Sequence, residues 1–493
     1  MTTKNVLAFD LGAGSGRAVL AKFDGNRFSL NEIHRFPHNF SILNGHSYWN
    51  ILLLMDEIKK GFSLCREEVS GAGFDTWGVD CGFIDKEGNL AGIPLSYRDA
   101  ALDNKNMEQA LRELGGEEFM AGRTGIACLA YNTIYKLYYM KKHMPSQLAQ
   151  ADKLLFMPNL FEYLLSGIKH AEYSIASTSQ MYDMANRAWA YDILDKAGID
   201  KNLLPDTDYA GRDLGPLRSD VASETGQKGL HIISVPGHDT ACAVAAMPAK
   251  EQEFTFLSSG TWSLLGISST RMLGKDSIIH NKISNEGTWN GTYRPVVNII
   301  GLWIMQELRR NFATEGRDYS FAEISRLASL EKSLRSFIRP DDFMLPGDYP
   351  LKIREYCKNT GQEVPQTDGG LARCVLESLA LKYRQVYEGF KPYITWEEKL
   401  YITGGGVRDE LLCQFTANAL DIPVIAVAAE ATAAGNIMVQ LKALGLYNTD
   451  SEKSEILSAS FETKTYYPQE TERWHEAYLE FCSLYQREGK AVL

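Results

Sequence analysis

The chain has 493 residues, a net charge of −11 at pH 7 and 45% hydrophobic residues. This length predicts two large globular domains, and the acidic balance argues against a nucleic-acid or anionic-membrane partner, because phosphate backbones are bound by clustered lysine and arginine. No stretch approaches the roughly 20 apolar residues that span a bilayer. The eight scattered cysteines have no metal-ligand spacing, so we expect a cytoplasmic protein with reduced thiols.

The first segment, residues 6–24, reads VLAFDLGAGSGRAVLAKFD and predicts a strand, a glycine turn and a second strand. A dinucleotide-binding fingerprint needs a helix after its glycines, so we interpret this loop as a phosphate-receiving hairpin. Asp10 ends the first strand and either holds Mg²⁺ against the phosphates or only hydrogen-bonds the turn. Arg17 is either a cation beside a transferring phosphoryl group or a solvated hairpin residue.

The sequence DTWGVD, residues 75–80, lies between two predicted strands. It is either a polyol site, with the ring of Trp77 against a sugar, or an ordinary turn with a core tryptophan. After a mostly helical region, the segment that begins at His231 predicts a buried strand, a Pro-Gly break and a short helix. Asp239 begins that helix, either as its N-cap or as the carboxylate that receives the proton of a phosphoryl acceptor.

The segment at residues 253–269 again reads as strand, small-residue turn and strand. We interpret it as a second domain that begins as the first one did, against the alternative that any two hairpins look this similar. The predicted domains are residues 1–246 and 247–493. The hydroxyls of SSGTWS, residues 258–263, either bind phosphate oxygens or cap a hairpin. The three glycines of TGGGVRDE, residues 403–410, are predicted at a helix N-terminus, where anions or a planar ring can approach the backbone.

Taken together in this order, the motifs resemble those of the FGGY carbohydrate kinase family over essentially the whole chain. The motifs are DLGAGSGR, DTWGVD, YRD, HDTACAV, LSSGTWSL, KISNEG, NIIGLWIMQ, GGGVRDELL and EATAAGNI. The resemblance implies an α/β fold of two actin-like (ribonuclease H-like) ATPase domains with a central interdomain cleft. It also implies phosphoryl transfer from MgATP to O1 of L-rhamnulose, with another ketose such as L-fuculose as the alternative.

The resemblance also implies roles for individual residues. Asp239 would be the catalytic base, and Asp10 would associate with Mg²⁺, directly or through water. The implied ATP contacts are Ala13, Gly14, Ser15, Gly16, Arg17, Thr261, Gln306 and Gly405, and the implied sugar contacts are Gly78, His238, Asp239, Thr240 and Asn298. The YRD motif lacks a second arginine that often follows it in relatives, so Arg98 and Asp99 receive no sugar role. The expected partners are the ketose and MgATP, and we expect a monomer or a homodimer.

Overall fold

The computed structural model describes residues 4–486, which fall into two compact units. The first unit comprises the chain up to Lys250 together with Ser269–Pro295 and Ala431–Ser460. The second comprises Glu251–Ser268, Val296–Glu430 and the chain from Phe461 onward. The predicted boundary between residues 246 and 247 lies near the first of these divisions, but it does not describe the two later stretches that belong to the first unit.

The strands, in chain order, provide one large sheet for each unit and several short hairpins. They are β1 (Lys4–Leu11), β2 (Ser15–Phe23), β3 (Phe28–Pro37), β4 (Phe40–Leu43), β5 (His46–Trp49), β6 (Gly71–Thr76), β7 (Cys81–Ile84), β8 (Lys153–Phe156), β9 (Ala171–Glu172), β10 (Tyr182–Asp183), β11 (Ala188–Trp189), β12 (Thr207–Asp208), β13 (Asp213–Pro216), β14 (His231–Ile233), β15 (Phe254–Ser259), β16 (Trp262–Ser268), β17 (Ser284–Gly287), β18 (Tyr293–Ile300), β19 (Leu400–Thr403), β20 (Val424–Ala426) and β21 (Lys464–Tyr466).

The helices connect these strands. They are α1 (Ile51–Leu64), α2 (Asn104–Leu114), α3 (Glu117–Thr124), α4 (Thr133–His143), α5 (Pro145–Gln150), α6 (Met157–Ser166), α7 (Tyr173–Ser177), α8 (Tyr191–Ala197), α9 (Ser219–Thr225), α10 (Asp239–Ala245), α11 (Lys275–Asn281), α12 (Trp303–Thr314), α13 (Phe321–Ser329), α14 (Tyr349–Asn359), α15 (Asp368–Phe390), α16 (Glu410–Leu420), α17 (Ala431–Ala443), α18 (Asp450–Ser460) and α19 (Thr471–Gln486).

The sheet of the first unit has the strand order β13-β14-β6-β1-β2-β3. Strands β1, β2 and β3 form the predicted antiparallel meander. Strand β6 is parallel to β1, and β14 is parallel to β6. Because parallel strands end at the same edge, the residues at the carboxyl ends of β1, β6 and β14 come close together there.

The second large sheet has seven strands; its order β21-β20-β19-β15-β16-β18 repeats this arrangement, and β17 follows β18 as the seventh strand. Strands β15 and β16 are antiparallel, as are β16 and β18, and β19 and β20 follow in parallel with β15. Six strands of the second sheet therefore have the same topology as the first sheet. This agreement supports the interpretation of the two glycine hairpins as an internal repeat.

Helix α1 shows how the sequence covers the first sheet. The side chain of Asn50 caps the helix by accepting the backbone N–H of Leu53. Its buried face includes Phe62, whose ring lies 4.8 Å from that of Phe9 on β1. The helix begins directly after the Asn50 cap and ends at Leu64.

Two further observations concern the environment of the chain. None of the helices within residues 4–486 is both apolar enough and long enough to traverse a membrane. All eight cysteines lie within that part of the chain and are free thiols, seven of them buried.

Candidate active site

Asp10 and Arg17 face each other at the start of the glycine hairpin. They occupy paired positions of β1 and β2. Arg17 donates from Nε and Nη2 to Oδ2 of Asp10, at 2.9 and 2.6 Å. The ion pair is nearly buried, with 15% and 11% of the two side chains exposed. Both predicted roles are thus coupled, because the guanidinium of Arg17 holds the carboxylate of Asp10, while its Nη1 lies 4.0 Å from Oε2 of Glu32.

Asp75 lies beside Asp10, at the paired position of the parallel strand β6. It is completely buried, and its Oδ2 accepts a hydrogen bond of 2.7 Å from Nδ2 of Asn436 on α17. Burial, and after it the charge of Asp10, raises the pKa of Asp75 well above its ordinary value. Sequence reasoning missed this carboxylate as a partner of Asp10, because the register of two parallel strands cannot be read from their letters.

The residues near Asp10 fit a nucleotide-bound Mg²⁺ in their donor chemistry. Magnesium prefers oxygen ligands and uses one or two carboxylates together with phosphates and water. Asp10 supplies such a carboxylate, and Oδ1 of the buried Asp75 has no hydrogen-bond partner within the part of the chain that the structure describes. Within residues 4–486 no group of three or more Asp, Glu, His or Cys side chains could hold a metal ion alone.

Asp239 is the first residue of α10, at the carboxyl edge of the same sheet. Its Oδ1 accepts hydrogen bonds from the backbone N–H and the hydroxyl of Thr240, at 2.5 and 3.1 Å. About a third of the side chain (32%) is exposed, so its carboxylate can reach a ligand. Burial is the largest influence and raises the pKa of Asp239, and the charge of Asp10 adds to this rise. A carboxylate with a raised pKa is a better proton acceptor.

The ring of His238 is held on both sides. Its Nδ1 lies 2.8 Å from Nη2 of Arg294 and 3.2 Å from Oε2 of Glu286. Its Nε2 lies 3.4 Å from Oδ1 of Asp239. A Cβ added to Gly78 would be 3.2 Å from the same Nε2, so the predicted sugar contacts Gly78, His238, Asp239 and Thr240 are brought together.

Glu172 fixes the backbone before this histidine. Its carboxylate is fully buried and accepts the backbone N–H of Gly237 at 2.8 Å. The same carboxylate accepts the N–H and the hydroxyl of Ser174. Burial is the largest influence on it and raises the pKa of Glu172 to about 7. Sequence reasoning did not single out this residue, and no motif marks it.

The second carboxylate of DTWGVD has a structural environment. Asp80 is fully buried and accepts hydrogen bonds from the indole nitrogens of Trp49 and Trp77, at 2.5 and 2.9 Å. It also forms an ion pair with the buried Lys136. Trp77 is only 4% exposed. The structure therefore favours the interpretation of Trp77 as a core tryptophan over a sugar-stacking ring. Gly78 of the same motif lies next to His238.

Asp99 is likewise occupied by its own surroundings. It is buried and accepts the backbone N–H of Ser47 at 2.6 Å, and it lies 3.2 Å from Nδ1 of His46. Arg98 donates from Nε to the hydroxyl of Tyr97.

In the second unit, the turn between β15 and β16 contacts α12. Nε2 of Gln306 donates to the hydroxyl of Thr261 at 3.1 Å, so these two predicted ATP contacts lie together. Gly260 and Thr261 accept the backbone N–H groups of Leu302 and Trp303, at 2.8 and 3.2 Å. Asn298 lies on β18 of this unit, paired with Leu264.

The triple glycine forms a 3-10 turn over Gly405–Arg408, and α16 begins only at Glu410 behind an Asp409 cap. The prediction that the glycines open this α-helix is therefore wrong. A Cβ on Gly406 would lie 2.2 Å from Oγ of Ser259, whereas a Cβ on Gly405 would meet nothing within 4 Å. Gly405 is thus the exposed glycine with open space around it.

The chain is similar to known proteins of one enzyme family over nearly its whole length. Residues 5–246 match the N-terminal domain, and residues 255–444 the C-terminal domain, of the FGGY family of carbohydrate kinases. The chain is 38% identical to a rhamnulokinase of Bacteroides thetaiotaomicron over 97% of its length and 99% of that protein, and 35% identical to a rhamnulokinase of Halalkalibacterium halodurans over 93% and 98%. The crystal structure of xylulose kinase from Rhodospirillum rubrum has the same fold, with a TM-score of 0.78, 18% identity and 99% of both chains covered.

Proposed function

The chain belongs to the FGGY family of carbohydrate kinases, and on that premise we propose that it phosphorylates L-rhamnulose at O1 with ATP. The product, L-rhamnulose 1-phosphate, belongs to L-rhamnose catabolism. Two rhamnulokinases that match nearly the whole chain support this substrate. The observation that carries the mechanism is the partly exposed carboxylate of Asp239, whose pKa is raised at the sheet edge that also holds Asp10. We place this reaction in the cytoplasm.

In the proposed reaction, O1 of the ketose attacks the γ-phosphorus of ATP in line. Asp239 accepts the proton of O1, and the bond between the γ-phosphorus and its bridging oxygen breaks to release ADP. Thr240 orients the carboxylate through its backbone N–H and its hydroxyl. Gly78, His238 and Asn298 contact the sugar, and Asp239 and Thr240 complete that set.

The proposed nucleotide contacts form one set in each unit. In the first unit they are Ala13, Gly14, Ser15, Gly16 and Arg17 of the glycine hairpin; in the second they are Thr261, Gln306 and Gly405. Asp10, held by Arg17, would hold Mg²⁺ directly or through water. When bound, this ion would neutralise charge on the transferred phosphoryl group.

A panel of ketoses in a coupled assay for ADP, with the phosphate position of the product assigned by NMR, tests the substrate. We expect the highest kcat/KM for L-rhamnulose and phosphate at O1. A preference for L-fuculose would favour the alternative substrate. The absence of transfer to any ketose would overturn the proposal.

Asp239→Asn tests the proton acceptor. We expect kcat to fall by roughly 10²-fold to 10⁴-fold, as is typical when a general base is lost. Calorimetry should show ATP binding close to that of the wild type. Asp220→Asn, an exposed aspartate, is the matched control. Near-normal turnover of Asp239→Asn would refute the assignment.

A further inference from the structure

Arg294 and Glu286 form a buried ion pair next to the ring of His238, and both belong to the segment NEGTWNGTYR, residues 285–294. The side chain of Arg294 is 0% exposed and that of Glu286 is 7% exposed. Nη2 of Arg294 contacts both Glu286 and Nδ1 of His238. Its Nε and Nη1 have no hydrogen-bond partner within residues 4–486. The polar contacts of this buried cation are therefore directed at Glu286 and at one nitrogen of His238.

The identity of these atoms decides where the proton of His238 lies. A guanidinium offers only donors, whereas a neutral imidazole has one donor nitrogen and one acceptor nitrogen. Nδ1, at 2.8 Å from Nη2 of Arg294, must accept that bond and so carries no proton. A proton on Nδ1 would set two N–H groups against each other, and the longer 3.2 Å contact to Glu286 would not relieve this. The proton of the neutral ring is therefore on Nε2.

Nε2 faces the side of the ring on which the reaction is proposed. Nε2 lies 3.4 Å from Oδ1 of Asp239. Gly78 also lies close to it, because a Cβ added to this glycine would be 3.2 Å from Nε2. In a ketose, C2 is bonded to the carbon that carries O1, so a ketose whose O1 lies at Asp239 can bring its C2 oxygen to Nε2. An N–H at that position gives a hydrogen bond to this oxygen.

We propose that Arg294 is a positioning residue that keeps the proton of His238 on Nε2, so that His238 donates a hydrogen bond to the C2 oxygen of the ketose. This rests on the proposed function and deepens it, because it explains why a ketose binds next to Asp239. A polyol would have a hydroxyl at this position, and the hydrogen of that hydroxyl would need an acceptor of its own. A carbonyl oxygen only accepts hydrogen bonds, so it needs no such partner.

The two partners of the ion pair separate this role from a structural one. In Arg294→Met the donor to Nδ1 is lost while Glu286 remains, so the proton moves to Nδ1 and bonds to that carboxylate. In Glu286→Gln the donor stays, and so does the proton on Nε2. We expect Arg294→Met to lower kcat/KM for L-rhamnulose at least tenfold more than Glu286→Gln does, a size typical of one lost hydrogen bond. The KM for ATP should change less than about twofold in both.

NMR of protein labelled with ¹⁵N-histidine reads the tautomer directly, with the signals of His238 assigned by their loss in His238→Asn. We expect the Nε2–H form in the wild type and in Glu286→Gln, and the Nδ1–H form in Arg294→Met. Equal kinetic loss in the two variants, or an Nδ1–H form in the wild type, would overturn the proposal. The wild-type spectrum decides even if Arg294→Met fails to fold. If the wild type phosphorylates no ketose, the proposed function fails while the tautomer is still measured.

Discussion

The close approach of α17 to α10 allows a sharp test of how the first unit holds its active site. A Cβ at Gly435 would lie 1.8 Å from the carbonyl oxygen of Cys242 and 3.2 Å from the backbone nitrogen of Ala246. These are backbone atoms, which cannot rotate away as a side chain does. In Gly435→Ala the two helices must therefore move apart until the shorter contact grows from 1.8 Å to the 3.4 Å of ordinary van der Waals contact.

The expected cost follows from two opposing effects. Overpacking of this kind destabilises by about 3 kcal/mol, and the better helix propensity of alanine returns about 1 kcal/mol. A net loss of about 2 kcal/mol should lower the Tm of the first unit by about 4 °C. Because α10 begins at Asp239 and α17 carries Asn436, the bond partner of Asp75, we also expect kcat to fall.

Thermal unfolding followed by calorimetry, together with kcat, measures both effects. Gly274→Ala is the matched control, because a Cβ at Gly274 meets nothing within 4 Å. We expect this control to keep the Tm within about 1 °C of the wild type, since substitutions that touch nothing change stability little. A Tm and a kcat for Gly435→Ala equal to those of Gly274→Ala would refute the reasoning, because the two helices would then not be in backbone contact.

Three further predictions concern the two binding sets. The methyl group of Gly78→Ala would lie 3.2 Å from Nε2 of His238, so we expect the KM for the ketose to rise about tenfold with the KM for ATP unchanged in steady-state kinetics; equal changes in both would contradict this. Burial and the charge of Asp10 raise the pKa of Asp239 above 3.8, and a base acts only when it is deprotonated. We therefore expect kcat/KM to be lost as the pH falls through a value above 3.8. A pH profile of kcat/KM that stays flat down to pH 3.8 would argue against Asp239 as the base. Gly406→Ala should lower the Tm, because its Cβ would lie 2.2 Å from Oγ of Ser259. Gly405→Ala has open space around its Cβ, so it should keep the Tm and raise the KM for ATP. The reverse pattern would exclude the assignment of Gly405.

Local sequence patterns predicted the elements that depend on near neighbours. The glycine hairpin at Asp10 and the strand, break and helix around Asp239 have short-range signals, such as alternating apolar residues and a Pro-Gly pair. The contacts that complete the site are long-range. Asp75 reaches Asp10 through strand register, and Arg294 reaches His238 from a segment that follows β16 and α11. No periodicity encodes such pairings, so sequence patterns did not reveal them.

The first unit is built from three separate stretches of chain, so its fold cannot be completed until the last of them has been synthesised. The backbone carbonyl of Leu7 on β1 accepts its side-chain hydrogen bond from Gln440, at 2.8 Å, and Asp75 accepts one from Asn436. A nascent chain that has reached only residue 430 contains the whole first sheet but not these donors. The ribosome must therefore release almost the entire polypeptide before the interior of the N-terminal sheet is satisfied. A fragment that ends at residue 246 would lack Asn436, which donates to Asp75, and Arg294, which contacts His238.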